Sequence, residues 1–366
     1  MSNIEVLGMV GTREESEAMA ADTEDGIDVD YLRRFAKAHD EAGFDRVLIG
    51  YSSTSPDGMA VAADVLNQTK KLGVLIAHRP GFVTPTLQAR KVGTLDQLSG
   101  GGRVAIHHIS GGSDFDQRRD GDYIDKEARY RRTAEFIQVL RQTLDSTEPF
   151  DYEGEFYKFD QAYSTVRPAS PAGIPIYFGG QSPIAVEVGA KHTDVFMLFG
   201  EPLEQTAERI AVIRAEAEKY GRTVEFSLST RPIVADTEDG AWKRAQELYD
   251  AAAARVPDAP TKALWAPGAS NAAVSAQRLQ ELAHAQDVYD ERLWMGMTKL
   301  AGPGGNSTAP VGTVEQVSEA LLKYYDLGVT KFLIRGFDPL NDVIEWGEGL
   351  VPALRAGAQN RLAVGV

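Results

Sequence analysis

The chain is 366 residues long and carries 53 acidic against 38 basic side chains, for a net charge of −15. That excess argues against a nucleic-acid or anionic-membrane partner, both of which want a basic face, so any anionic ligand must be held in a local basic pocket. No cysteine is present, which removes disulfides, thiolate metal sites and a cysteine nucleophile.

The length admits two ordinary domains or one large α/β barrel with insertions. A composition of 43% hydrophobic and 25% charged residues is that of a globular enzyme with a sizeable core. The opening Met-Ser-Asn-Ile-Glu-Val has no charged n-region and no apolar h-region. No apolar run approaches the ~18 residues of a membrane span, so a cytoplasmic protein is expected.

In chain order, residues 4–10 read as a short buried strand. A polar stretch leads to a helix over about 29–42, with Leu32, Phe35, Ala36 and Ala42 on one face and Gly43 as its stop. The strand 46–50 follows, then a helix over 57–68, a strand over 72–77, a helix over 86–98 and a strand over 103–109. Further apolar strands are predicted at 174–178, 194–199, 225–234 and 331–336. The unit helix–Gly–x–x–strand occurs at Gly43 and again at Gly328. Strands that are apolar nearly throughout belong in a parallel sheet covered by helices. Eight such units without a dinucleotide fingerprint favour a closed (β/α)8 TIM barrel over a doubly wound sheet. The expectation is a single domain spanning 1–366.

Two stretches exceed what a βα unit needs, one after the fourth strand (about 110–173) and one after the seventh (about 235–330). The first holds Asp151-Tyr-Glu-Gly154, which reads as a hairpin. The second passes through the run Pro303-Gly-Gly-Asn-Ser-Thr308. Loops after barrel strands stand over the active site, so both are expected to form its walls and a mobile lid.

The most informative stretch is Ile176-Tyr-Phe-Gly179-Gly180-Gln181-Ser182-Pro183. Ser182 is a good N-cap and Pro183 suits the first helical position. Backbone N–H groups at such a start, approached over two glycines, form an anion site suited to a phosphate; an ordinary strand-to-helix turn is the alternative. No Lys-Ser or Lys-Thr follows the glycines, so this is not a P-loop. His107 and His108 are neighbours on one strand and point to opposite faces, so they cannot share a metal, and no metal site is expected. Arg79, Arg231 and Arg335 each fall at or near a strand end. Singly they would be solvated or paired, but together they would make an anion pocket. Phe199, Trp265 and Trp294 could stack on a flat cofactor or simply pack. No Gly-x-Ser-x-Gly is present, and no Ser/His/Asp set stands out. A site with phosphate-binding turns and few acid–base groups suits a cofactor that carries its own chemistry.

Several stretches together resemble one family: Thr94-Leu-Asp-Gln-Leu-Ser99, Ser110-Gly-Gly, Asp125-x-x-x-Arg129-Tyr130, Ala134-Glu135-Phe136, Asp151-Tyr-Glu-Gly154, Ile176-Tyr-Phe-Gly-Gly-x-Ser182, Phe199-Gly-Glu-Pro202 and Thr308-Ala-Pro-Val-Gly312. The chain resembles the bacterial luciferase-like flavin monooxygenases, and within them the alkanesulfonate monooxygenase group. The resemblance implies a TIM barrel that binds reduced FMN (FMNH2), supplied by a separate NAD(P)H-dependent FMN reductase, and uses O2 to oxygenate a small organosulfur substrate. An alkanesulfonate would yield sulfite and an aldehyde. A homo-oligomer is implied as well.

Carried over by position, Tyr130, Ser182 and the N–H groups of Gly180 and Gln181 would hold the FMN phosphate. His107 and Ser110 would lie beside the flavin ring, where the family commonly has Asn and Thr, and Ala77 would pack under it. The substrate side departs from the family. Ser229 and Arg231 stand where the group carries Arg-x-His, Ser55 replaces a Cys, and Phe199 replaces a Trp. Phe337 replaces a Tyr, with Arg335 two residues earlier, and Pro303 stands in place of a lid Arg. The resemblance therefore implies substrate roles for Arg231, Arg335, Ser55 and Phe199. A deazaflavin-dependent oxidoreductase of the same fold, a monooxygenase of sulfones or other small molecules, and a non-catalytic flavin binder remain as alternatives.

Overall fold

In the computed structural model, residues 4–21, 26–111, 113–255, 273–302 and 307–364 are described. Eight parallel strands close a barrel: β1 (Glu5–Val10), β2 (Arg46–Ile49), β3 (Gly73–His78), β4 (Val104–His108), β7 (Ile176–Gly179), β8 (Val195–Phe199), β9 (Glu225–Thr230) and β14 (Val329–Ile334). Between β4 and β7 lies the antiparallel hairpin β5 (Phe150–Glu153) and β6 (Lys158–Ala162). Between β9 and β14 four short strands form a second sheet: β10 (Ile233–Val234), β11 (Val288–Tyr289), β12 (Leu293–Trp294) and β13 (Ala309–Gly312).

The helices follow the strands: α1 (Val29–Glu41), α2 (Gly58–Gln68), α3 (Pro85–Leu98), α4 (Asp114–Arg119), α5 (Lys126–Asp145), α6 (Pro183–His192) and α7 (Leu203–Glu218). After β10 come α8 (Glu238–Arg255), α9 (Val274–Ala285), α10 (Gly296–Ala301), α11 (Val314–Asp326), α12 (Pro339–Glu348) and α13 (Leu350–Val364). Their starts are chemically marked. Asp28, Asp57 and Asp125 each accept a backbone N–H from the third residue on, at 2.8 Å, and Thr313 with Gln316 forms a capping box. No helix among the described residues is long and apolar enough to cross a membrane.

The sequence reading of one strand over 225–234 needs correcting. Pro232 has no N–H to donate, and the chain leaves the barrel at Thr230. Ile233 and Val234 instead pair in parallel with β13. The last strand ends at Ile334, so Arg335 follows it. The expected Trp265 and Pro303 positions lie outside the described residues.

Strand alternation sorts the core into two layers. Val74, Ile76, Val104, Ile106, Phe178 and Phe332 face the helices, whereas Leu7, Leu75, Ala105, Tyr177, Val195 and Leu333 fill the barrel interior. The N-terminal end of the interior is closed by charge. Glu5 pairs with Arg46 at 2.7 Å and Lys331 at 2.9 Å, and the Tyr177 hydroxyl donates to it at 3.2 Å. Burial alone would raise the Glu5 pKa, but Lys331 and Arg46 hold it below its ordinary value.

Carboxylates also clamp the backbone at that end. Asp40 accepts the N–H groups of Lys70, Lys71 and Leu72 at 2.6–3.0 Å. Asp96, fully buried, accepts those of Gly102, Ala169 and Ser170 at 2.8–3.0 Å. Asp194 accepts from Ile176 N–H and from Arg141, each at 2.8 Å. These bonds satisfy turn donors that no helix or strand can reach. With the floor sealed, the open C-terminal end is where the barrel can do chemistry.

Candidate active site

Alternation also decides which side chains reach the open end. On β4, His107 continues the interior series through Ala105, and His108 faces outward into a ring contact with His78 and Phe136. Ala77 on β3 is the register neighbour of His107. Burial draws the His107 pKa down to about 4, against a hydrogen bond to the Tyr177 backbone. His107 is therefore a neutral imidazole at pH 7, and its Nδ1 has no partner.

Beside it, β7 ends at the Gly179–Gly180 turn and α6 begins. Gly180 has φ +145°, and a Cβ there would lie 2.7 Å from Ala185 Cβ and 3.4 Å from the Tyr130 hydroxyl. Only a glycine leaves that space open. Ser182 is the N-cap, yet its side chain accepts no hydrogen bond from the helix N–H groups. Its hydroxyl is buried next to the Tyr130 hydroxyl. Burial raises the Tyr130 pKa, with Ser182 and Arg129 pulling the other way, so the phenol stays a donor. A ten-residue helix thus presents an uncapped N-terminus, two adjacent hydroxyls and a glycine cradle. This set matches the needs of a phosphate dianion, and the neutral His107 beside it suits a flavin ring. The residues present fit FMN.

Gln181 is held from behind. Its Nε2 donates to Glu201 at 2.7 Å, and Arg278 on α9 pairs with the same carboxylate at 3.0 Å. Glu201 is 1% exposed, so its buried carboxylate ties the stretch between β9 and β14 to the turn before α6.

Across the mouth the structure brings Arg231 and Arg335 together, and adds a residue the sequence reading did not single out. Glu17, on the segment after β1, forms an ion pair with Arg231. Arg231 also donates to the Gly336 carbonyl at 2.7 Å and lies 3.7 Å over the Phe337 ring. Burial would raise the Glu17 pKa, but Arg231 and Arg335 outweigh it and draw it down to about 2. Arg335 is pushed down to about 10 by burial and by Arg231, against the pull of Glu17. It stays charged at pH 7.

The other expected residues lie elsewhere. Arg79, read as a third cation of the pocket, is consumed by Asp116 and by Asp120 at 3.4 Å, under the Tyr51 ring. It fastens α4 to the loop after β2. Ser55 is exposed and closes its own turn with Ser52. Phe199 packs on the cluster of Leu279, Ala283, Leu293 and Met295, so it anchors the inserted elements. The Ser110 hydroxyl bonds to Thr133 on α5 at 2.9 Å; Thr133 already donates to the Arg129 carbonyl, so Ser110 is the donor. Among the described residues no three His, Asp or Glu side chains gather in a way that could hold a metal.

Residues 7–331 match the family model for luciferase-like monooxygenases. Among solved structures, the chain is similar to a riboflavin lyase determined with modified FMN and riboflavin (TM-score 0.76, 19% identity, 96% of this chain and 91% of that one). It is also similar to a long-chain alkane monooxygenase (TM-score 0.77, 16% identity, 97% and 92% covered). A third likeness is to the EDTA monooxygenase from Chelativorans sp. BNC1 (TM-score 0.74, 16% identity, 96% and 94% covered). At these identities the likenesses establish a shared barrel fold.

Proposed function

Within the luciferase-like monooxygenase family, to which this chain belongs, we propose a two-component FMNH2-dependent monooxygenase that acts on a small anionic organosulfur compound, most simply an alkanesulfonate. The observation that carries the reading is the pairing of two subsites at one barrel mouth: the phosphate cradle of Tyr130, Gly180, Gln181 and Ser182, and the cationic cluster of Arg231 and Arg335. Reduced FMN, when bound, would supply the two electrons with which O2 is activated. Overall, RCH2SO3−, O2 and FMNH2 give RCHO, HSO3−, H2O and FMN, which balances in atoms and charge.

The chain's own residues hold and orient the reactants. The α6 N–H groups and the two hydroxyls fix the phosphate, and His107 and Ala77 border the ring. Arg335 offers forked donors to a sulfonate, and the buried Arg231 adds positive charge to the same cluster. Ser55 and Phe199 are proposed as outer-wall residues, and Ser110 as support for the loop after β4. A separate FMN reductase and a homo-oligomer belong to the same proposal.

Sulfite release is the test of the activity. The protein, an unrelated flavin reductase, FMN, NADH and O2 are mixed with sulfonates from methane- to decanesulfonate. Sulfite and aldehyde from any member support the reading. Tight FMNH2 binding without sulfite moves the substrate to sulfones or other molecules, and affinity for a deazaflavin alone replaces the cofactor.

Two variant sets separate the subsites. The Tyr130→Phe and Ser182→Ala double variant should bind FMNH2 about a hundredfold or more weakly, because each lost bond to a charged acceptor is worth about 1.5–3 kcal/mol. Anaerobic fluorescence titration reads this, and wild-type affinity would remove both residues from the phosphate site. Arg335→Ala should raise KM for the sulfonate roughly tenfold or more with FMN affinity unchanged. A KM equal to wild type would take Arg335 out of the substrate site.

A further inference from the structure

The anion site proposed above has a carboxylate built into it. Glu17 pairs with Arg231 and accepts a hydrogen bond from Ser307 at 3.5 Å. The Arg231 side chain is 3% exposed, whereas that of Glu17 keeps 33% of its surface open, so Glu17 is the solvent-facing partner of that pair. Its backbone is fixed. Ser16 donates to the Phe337 carbonyl at 2.5 Å, and Ser16 and Met19 exchange backbone bonds at 3.0 and 3.2 Å. Ala18 packs in the same cluster as Phe337. The negative charge is thus a placed part of the mouth.

Two arginines would suit a dianion. With Glu17 paired to Arg231 and within the electrostatic reach of Arg335, the described groups sum to a single positive charge. A second negative charge on the substrate would meet a nearby fixed carboxylate in a partly desolvated recess, where like charges repel by several-fold more than in water. We propose that Glu17 is a specificity-determining counter-ion, which trims the Arg231–Arg335 mouth to one net positive charge and selects monoanionic over dianionic substrates. This rests on the reading of the arginine pair as the anion site.

Ethanesulfonate and 1,2-ethanedisulfonate test it, since they share a two-carbon chain and differ by one charge. Each is titrated calorimetrically into the full-length, FMN-loaded protein. Wild type should prefer ethanesulfonate. Glu17→Gln should shift the affinity ratio toward the disulfonate by ~tenfold or more, and Glu17→Asp should keep the wild-type order. An unchanged ratio in Glu17→Gln, with both ligands bound, overturns the counter-ion role and leaves the proposed function standing. Binding by Glu17→Gln alone would mean that Glu17 excludes both anions, which overturns the selection of monoanions and removes sulfonates as substrates. No binding by either protein overturns both. If Glu17→Gln does not fold, Arg335→Gln tests the same charge sum from the other side, and its ratio must move further toward the monoanion.

Discussion

Gly180→Val is expected to abolish useful FMN binding, lowering affinity by roughly a hundredfold or more. The reasons are local and additive. The position has φ +145°, a region that β-branched residues do not enter without about 1–3 kcal/mol of strain. The new Cβ would meet Ala185 Cβ at 2.7 Å and the Tyr130 hydroxyl at 3.4 Å, so the turn must move away from the α6 N-terminus or Tyr130 must leave. Either movement removes phosphate donors worth about 1.5–3 kcal/mol each. Gly180→Ala should show a smaller loss in the same direction. Fluorescence quenching of FMN reads the affinity, and circular dichroism checks the fold. Wild-type affinity in a folded Gly180→Val protein would take the phosphate away from this turn.

The second large effect is acid lability. Three of the neutral histidines are packed in the core: His39, drawn down to about 4 by burial against a bond to the Phe35 carbonyl, His78, drawn down to about 3 by burial and Lys91, and His108, held well below its ordinary value by burial and by His78, His107 and Arg141. In the unfolded chain each titrates near ~6.5. Below that pH the unfolded state binds more protons than the native state, so stability falls as pH falls. The loss approaches about 1.4 kcal/mol per pH unit for each histidine, or roughly 4 for the three. It continues until the native values near 4 and 3 are reached. Against a total of about 5–15 kcal/mol, the protein should unfold within two to three pH units below 6.5. Denaturant midpoints between pH 7 and 4.5 measure it, and a flat profile from 6.5 to 5 would contradict the burial of these rings.

Much of this molecule is legible in the sequence. The barrel strands are nearly continuous apolar runs, as a doubly covered parallel sheet requires, and the α6 start carries Ser-Pro at the two positions that favour a helix entry. The inserted sheet was not legible, because its strands β10, β11 and β12 are two residues long, below the span any periodicity needs. Glu17 was hidden for another reason. It lies in an aperiodic polar stretch, 214 positions from its partner Arg231, and only barrel closure brings them together. Arg79 shows the converse. Its place at a strand end suggested a ligand-binding cation, while its partners Asp116 and Asp120 sit on and just past the end of a short helix that carries no motif.

The family stretches prove to be partly scaffold. Asp96 of Thr94–Ser99 clamps the backbone at 102, 169 and 170. Glu135 holds the N–H groups of Phe156 and Tyr157 at 3.0 and 2.8 Å, and Gly154 leaves room for that carboxylate. Such residues identify the fold rather than the substrate.

These clamps bear on how the protein could be engineered. Asp40, Asp96, Asp194 and Glu135 contribute to the acidic excess, yet each is a fastening between consecutive βα units or between a helix and the hairpin it carries. Amide replacements would put N–H donors against N–H donors. A redesign that aims to bring the isoelectric point toward neutrality therefore cannot spend its changes evenly over the acidic residues. It should draw them from exposed helix faces such as Glu204, Glu208 and Glu247, and leave the fastenings alone.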